Sequence, residues 1–264
     1  MGKQWKNPPV YFVIAQVRYS PVLSLASYIA KIQEDFRKAQ FPDFKKVMNV
    51  TFNVGLLAGL KPGDEQPMQQ SDRYLFSDEE GTETFILDQN GLTLQTTEYK
   101  TFDVLMQTFL SRLDSLNATL SLSFSDRVGL RYLDAVIPKT GESLESYLIP
   151  QVFGIREKVN GGVQHSFTET LINFPVGKLL SRVVMQEGQI GFPPDLQLHA
   201  GGVKLNQRFA GYTGPYAIID TDGFNDTRGR MDRSTIERKF QGLHEQVDAV
   251  FNAIITKHAI KMWS

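Results

Sequence analysis

The chain has no cysteine. Disulfides, thiolate metal sites and cysteine nucleophiles are therefore excluded, and a reducing compartment is compatible with that composition. An excess of either charge is also lacking: 28 Lys and Arg against 29 Asp and Glu give a formal net charge of −1. There is no global basic field to hold a polyanion, so nucleic-acid binding would need a local patch. No apolar run reaches the ~18 residues of a membrane-spanning helix. The opening stretch MGKQWKNPPVYFVIAQVRYS is not patterned as a secretory signal, because its apolar run begins after Pro9 and breaks at Gln16 and Arg18. Lys6 stands where a myristoylation signal wants Ser or Thr. Together these absences predict a soluble, cytoplasmic protein.

Motifs of several reaction classes are missing as well. There is no G-x-S-x-G elbow, no Walker A loop and no G-x-G-x-x-G fingerprint. His244-Glu245 is not followed by a second histidine at zinc-protease spacing. Asp220, Asp222 and Asp226 alternate near Gly223 but depart from the EF-hand pattern, and turn chemistry explains them equally well. No metal site and no cofactor is expected.

What is present is a repeated order of elements. VYFVIAQVRYS reads as a strand with Tyr11, Val13, Ala15, Val17 and Tyr19 on one apolar face. A helix capped by Ser24 follows, with Leu25, Tyr28, Ile29, Ile32 and Phe36 as its stripe. KVMNVTFNVGL, DRYLFSD, ETFILD and LTLQTTE read as strands, the last two joined at Gln89-Asn90-Gly91 as a hairpin. A second helix begins near Thr101, with Phe102, Leu105, Met106, Phe109, Leu113 and Leu116 on its apolar side. DRVGLRYLDAV then restarts the series. Leu130-Arg131-Tyr132 aligns with Val17-Arg18-Tyr19, and the Ser143-Leu144-Glu145-Ser146-Tyr147-Leu148 helix start with Ser24-Leu25-Ala26-Ser27-Tyr28-Ile29. Strands are predicted at QHSFTETLINF, LLSRVVMQ, LQLHAG, KLNQRFAGY and YAIIDTD. A last helix carries Phe240, Leu243, Val247, Val250, Phe251, Ile254 and Ile255.

The expectation is an α+β fold of two pseudo-repeated β-α-β4-α modules. They span 1–120 and 121–264, the second with four or five strands after its first helix, in one continuous domain. Joined edge to edge, they would form a long curved antiparallel sheet with helices on one face, like the TATA-binding-protein saddle or a helix-grip fold. If Val17, Tyr19, Leu130 and Tyr132 face the helices, alternation turns Arg18, Arg127, Arg131 and Gln16 the other way, with Gly129 as a gap. Those arginines either clamp an anionic ligand or pair with carboxylates of the chain, Asp126 and Asp134 among them. His244 and Asp248, four residues apart on the last helix, are either an acid–base pair or a surface pair.

Three stretches carry a family resemblance: Asn7-Pro8-Pro9-Val10, Arg127-Val128-Gly129-Leu130-Arg131-Tyr132-Leu133-Asp134, and Leu243-His244…Phe251…Thr256…Trp263. They resemble a sporadically distributed family of uncharacterised bacterial proteins, over nearly the whole chain. The resemblance transfers no activity and no catalytic residue. Its patchy distribution implies an accessory of an antiviral-defence or toxin–antitoxin system.

With no catalytic constellation in the sequence, the expected function is a non-enzymatic binding or adaptor protein. It would take a protein or an anionic ligand on the helix-free sheet face. The alternatives are an enzyme acting on a phosphorylated or nucleotide substrate, with the arginines as anion clamps, and a nucleic-acid-binding saddle, which the near-neutral charge disfavours.

Overall fold

The computed structural model describes residues 5–52, 68–155, 164–196 and 203–264. Ten strands form one antiparallel sheet: β1 (Val10–Tyr19), β2 (Asp43–Phe52), β3 (Met68–Ser77), β4 (Glu83–Asp88), β5 (Gly91–Thr96), β6 (Phe124–Val136), β7 (His165–Phe174), β8 (Gly177–Gln189), β9 (Thr213–Asn225) and the short β10 (Gly229–Arg230). Their order is β2-β3-β4-β5-β1-β6-β9-β8-β7, with β10 beside β6. The first strand of each half thus lies at the centre. The last long strand of each half lies next to it, and the edges are β2 and β7. The fold is α+β, as the sequence predicts. No helix among the described residues is long and apolar enough to cross a membrane.

Three helices cover one face: α1 (Ile29–Lys38), α2 (Phe102–Leu120) and α5 (Arg233–Ile254). The apolar stripes read from the sequence bring them there. Ile32 and Phe36 of α1, Phe109 and Leu113 of α2, and Phe240 and Leu243 of α5 are all buried in one core with Val13, Ala15, Val17 and Leu130 of the central strands. Thr101 caps α2 by accepting from the Val104 amide at 3.3 Å, and Asp232 caps α5 by accepting from the Thr235 amide at 2.9 Å. The Gln89-Asn90 turn joins β4 to β5, with Asp88 opposite Gly91.

Four readings of the sequence are corrected. Tyr11 does not share the face of Val13, because the β1–β6 register shifts between Val10 and Phe12. A bulge inserts an extra residue and reverses the alternation. Tyr11 instead reaches across the helix-free face and donates a hydrogen bond to the Gly191 carbonyl at 3.0 Å. Leu25–Tyr28 form a 3-10 turn ahead of α1, and Tyr28 is 38% exposed rather than part of the stripe.

The helix expected from Ser143 is the single turn α3 (Leu144–Tyr147), since Pro150 follows and Ile149 before it adopts extended backbone. KLNQRFAGY is not a strand. Asn206 caps the one-turn α4 (Gln207–Ala210), accepting from the Arg208 amide at 2.9 Å. The predicted strand LQLHAG lies outside the described residues after Leu196, as does KVMNVTFNVGL after Phe52. A last helix, α6 (Lys257–Trp263), capped by Thr256, closes the chain.

The segment around Ile190, Phe192, Leu196 and Phe209 crosses the helix-free face. It packs on Phe12, Leu133, Ala135 and Ile218 as a second small core. Among the described residues that face is therefore open at one end of β1 and β6 and covered at the other.

Candidate functional site

The arginines of the sequence analysis meet on the helix-free face because of the β1–β6 register. Arg18 lies opposite Arg127, Gln16 opposite Gly129, and Ile14 opposite Arg131. Gly129 leaves a gap that the Arg127 side chain occupies: a Cβ at Gly129 would sit 3.7 Å from Arg127 Nε. The Arg127 guanidinium lies over the Phe224 ring at 4.3 Å and reaches Asp226 at 3.5 Å. Gln16 donates to the Thr93 hydroxyl at 2.9 Å. Arg18 is exposed and has no hydrogen-bond or ion-pair partner among the described residues.

Arg131 is held differently. Its guanidinium makes two 2.7 Å hydrogen bonds to Asp220 and one of 2.6 Å to Asp195. Arg182 joins the same network, reaching Asp220 at 3.2 Å and Glu169 at 2.8 Å. Arg131 is 8% exposed and Asp220 2%. Burial opposes the charged form of Arg131, but the hydrogen bonds to Asp220 and Asp195 outweigh it and hold its pKa above the ordinary value. Burial raises the neighbouring Asp222 carboxyl, with Arg131 and Arg127 working against that rise. The covered part of the face is thus internally neutralised. Arg18 carries a positive charge with no counter-charge among the described residues, and Arg127 is only partly compensated by Asp226.

His244 and Asp248 lie on α5, on the other side of the sheet. The imidazole stacks on the Phe102 ring at 4.0 Å with an interplanar angle of 4°. No hydrogen bond joins it to Asp248. Burial lowers its pKa against the opposing fields of Asp248 and Asp103, so it is neutral at physiological pH. The structure therefore does not bring His244 together with Arg18, Arg127 or Arg131.

Asp134 is not a partner of the face arginines. It follows Tyr132 by two positions on β6 and points with it towards the helices. Asp126 instead lies 3.4 Å from Arg228. The true partners of Arg131, Asp220 and Asp195, are 89 and 64 positions away. Strand alternation alone places Asp134 opposite Arg131, which was the available signal. Beneath α2 and α5 the Tyr132 hydroxyl donates to Tyr99 at 3.4 Å.

A cavity of about 510 Å³ lies elsewhere, between the end of α1, the β3–β4 turn and α2, with Asp78, Glu80, Glu83 and Arg112 in its wall. No cluster of three or more His, Asp or Glu side chains among the described residues is placed to hold a metal ion. No family model, curated protein or solved structure matches the chain.

Proposed function

We propose that the chain is a non-enzymatic binding protein that takes an acidic segment of a protein partner at the open end of the helix-free face. The observation that carries this reading is the Arg18–Arg127 pair. Two like charges directly opposite on neighbouring strands are destabilising. Arg127 is partly compensated by Asp226 at 3.5 Å, and Arg18 has no counter-charge among the described residues. A carboxylate or phosphate from a partner would supply it, through charge-assisted hydrogen bonds to guanidinium groups.

A duplicated scaffold of the saddle type underlies the proposal. The order β5-β1-β6-β9 is symmetric about the central pair, which supports it. Under the alignment of Arg18 with Arg131, the β1–β6 register places the pseudo-two-fold on the Gln16–Gly129 pair, near the middle of the ladder. The proposed setting is the cytoplasm. The family resemblance adds a role as an accessory of antiviral defence or a toxin–antitoxin pair, which the neighbouring genes test.

An enzyme using these arginines would need a carboxylate or His244 in the same pocket. His244 is on the opposite face, and the carboxylates at Arg131 are already engaged, so the binding reading is preferred. Recovery of partners from the native host, with the wild-type chain and with Arg18→Glu as bait, tests it. A partner held by the first and lost by the second is expected. A partner recovered equally by both overturns the assignment to this face.

A further inference from the structure

The two edges of the sheet meet solvent differently. β2 carries Asp43, Lys45 and Lys46, all exposed, with Lys45 on Asp43 at 2.9 Å and Lys46 on Asp72 at 2.8 Å. Charged side chains, lysine above all, keep an edge strand from pairing with another chain. β7 has no Lys, Arg or Pro along its 10 residues. Among the described residues it is paired with β8 alone. The Thr168 hydroxyl donates to the Val152 carbonyl at 3.0 Å, but on the helix side of the strand, where Thr168 stands opposite Val183. The one carboxylate of β7, Glu169, is held by Arg182 of β8 at 2.8 Å. Nothing in the strand's own sequence thus protects its outer backbone groups. β7 also carries exposed apolar surface: Phe167 is 52% exposed and Leu171 55%. They stand opposite Val184 and Leu180, on either side of the Glu169–Arg182 pair. Leu179, Val183 and Met185 point into the helix-side core, so this apolar strip lies on the helix-free face.

We propose that β7 pairs antiparallel with β7 of a second copy of the chain, about a two-fold axis at Glu169. The strand selects that occupant because its pattern is self-complementary. With Glu169 on the axis, Phe167 of each copy stands opposite Leu171 of the other on the helix-free face. On the helix side Thr168 meets Thr170, and Ser166 meets Ile172. A slip of one residue would join the helix-free face of one copy to the helix side of the other. A slip of two would set Glu169 against Phe167 or Leu171. Each Glu169 brings its own counter-charge to the axis in Arg182. The axis is perpendicular to the sheet, so both copies turn Arg18 and Arg127 to the same side. The pairing does not depend on what those arginines bind.

Sedimentation velocity of the full chain tests the proposal. The wild type is expected to be dimeric at ~50 μM. Phe167→Lys combined with Leu171→Lys sets cations opposite one another across the junction. It should weaken association at least ~10-fold while leaving the circular dichroism spectrum unchanged. Met48→Lys, at a 65% exposed position on β2, is the control and should leave the dimer intact.

Because the chain has no cysteine, a single introduced thiol reports the register. Directly opposed residues have Cα atoms ~4.5–5.5 Å apart, within disulfide range. Glu169→Cys should therefore cross-link two chains on mild oxidation. Leu171→Cys should not, since each Leu171 faces Phe167 of the other copy. A wild type that is monomeric at ~100 μM overturns the proposal and leaves the edge to a strand of a different protein. A double lysine variant that dimerises unchanged also overturns it, as does Leu171→Cys cross-linking as readily as Glu169→Cys. Should the double variant fail to fold, the two cysteine variants decide.

Discussion

Arg131 grips Asp220 through two hydrogen bonds of 2.7 Å, whereas Arg18, which also precedes a tyrosine on the neighbouring central strand, grips nothing among the described residues. The same residue type in the same local motif thus has two different roles. Buried as it is, the first pair cannot lose one member without stranding the other. Arg131→Ala is expected to destabilise the protein by ~3–5 kcal/mol, because Asp220 would be left as a buried charge with only Arg182 nearby. Arg18→Ala should change stability by no more than ~0.5 kcal/mol. Urea denaturation of both variants measures the contrast.

Tyr19 and Tyr132 are both buried in the helix-side core, 2% and 6% exposed. Either one replaced by Ala should cost about 3 kcal/mol, as other large-to-small core changes do. Chemical denaturation showing less than ~1 kcal/mol at both positions would contradict their placement in the helix-side core.

Asp134 predicts a distinctive pH dependence. Burial first, and then the field of Asp220, push its pKa up to about 8. The groups acting on it or acted on by it are Tyr11, Tyr99, Tyr132 and Asp220. The native state therefore holds a proton that the unfolded chain has already released. The native state binds more protons, so stability falls as pH rises from the unfolded aspartate value near ~4 and levels off above about 8, with a slope of at most ~1.4 kcal/mol per pH unit. Asp134→Asn should remove that contribution, flatten the profile and raise stability at neutral pH by ~1–3 kcal/mol. Melting curves of both proteins between those limits check the sign. An unchanged slope in the variant would exclude Asp134 as its source.

Gly177 opens β8 directly after the Pro175-Val176 turn, with φ at 157°. A Cβ there would lie 2.3 Å from the Phe224 carbonyl oxygen, a backbone atom of β9 that cannot swing aside. Gly177→Ala should therefore destabilise by ~2–4 kcal/mol, which denaturant titration would show. An unaffected midpoint would mean that the β7–β8 hairpin is free to shift.

The helices and most strands were legible because periodicity is local. The stripes of α2 and α5 need only 3.6-residue spacing, and the Gln89-Asn90-Gly91 signal needs only a turn. Register was legible in part: alternation correctly turns Arg18, Arg127 and Arg131 away from Tyr132. It fails at Tyr11, where a bulge adds a residue that no local pattern announces. The Ser143 helix fails because a matching start does not fix a length when Pro150 follows. The candidate site was the least legible part. Whether an arginine is free or engaged depends on Asp220 and Asp195, brought to Arg131 from distant segments by the sheet and by the crossing segment over its helix-free face.

Binding of a fluorescently labelled hexaglutamate peptide, followed by anisotropy at low salt, tests the central claim most directly. The account predicts saturable binding to the wild-type chain. Arg18→Ala should weaken it ~5-fold or more with an unchanged melting temperature, as the loss of one charge-assisted hydrogen bond requires. Equal affinity in the two proteins, or no binding to the wild type, would contradict the assignment of Arg18 and Arg127 as the anion-binding end of the sheet.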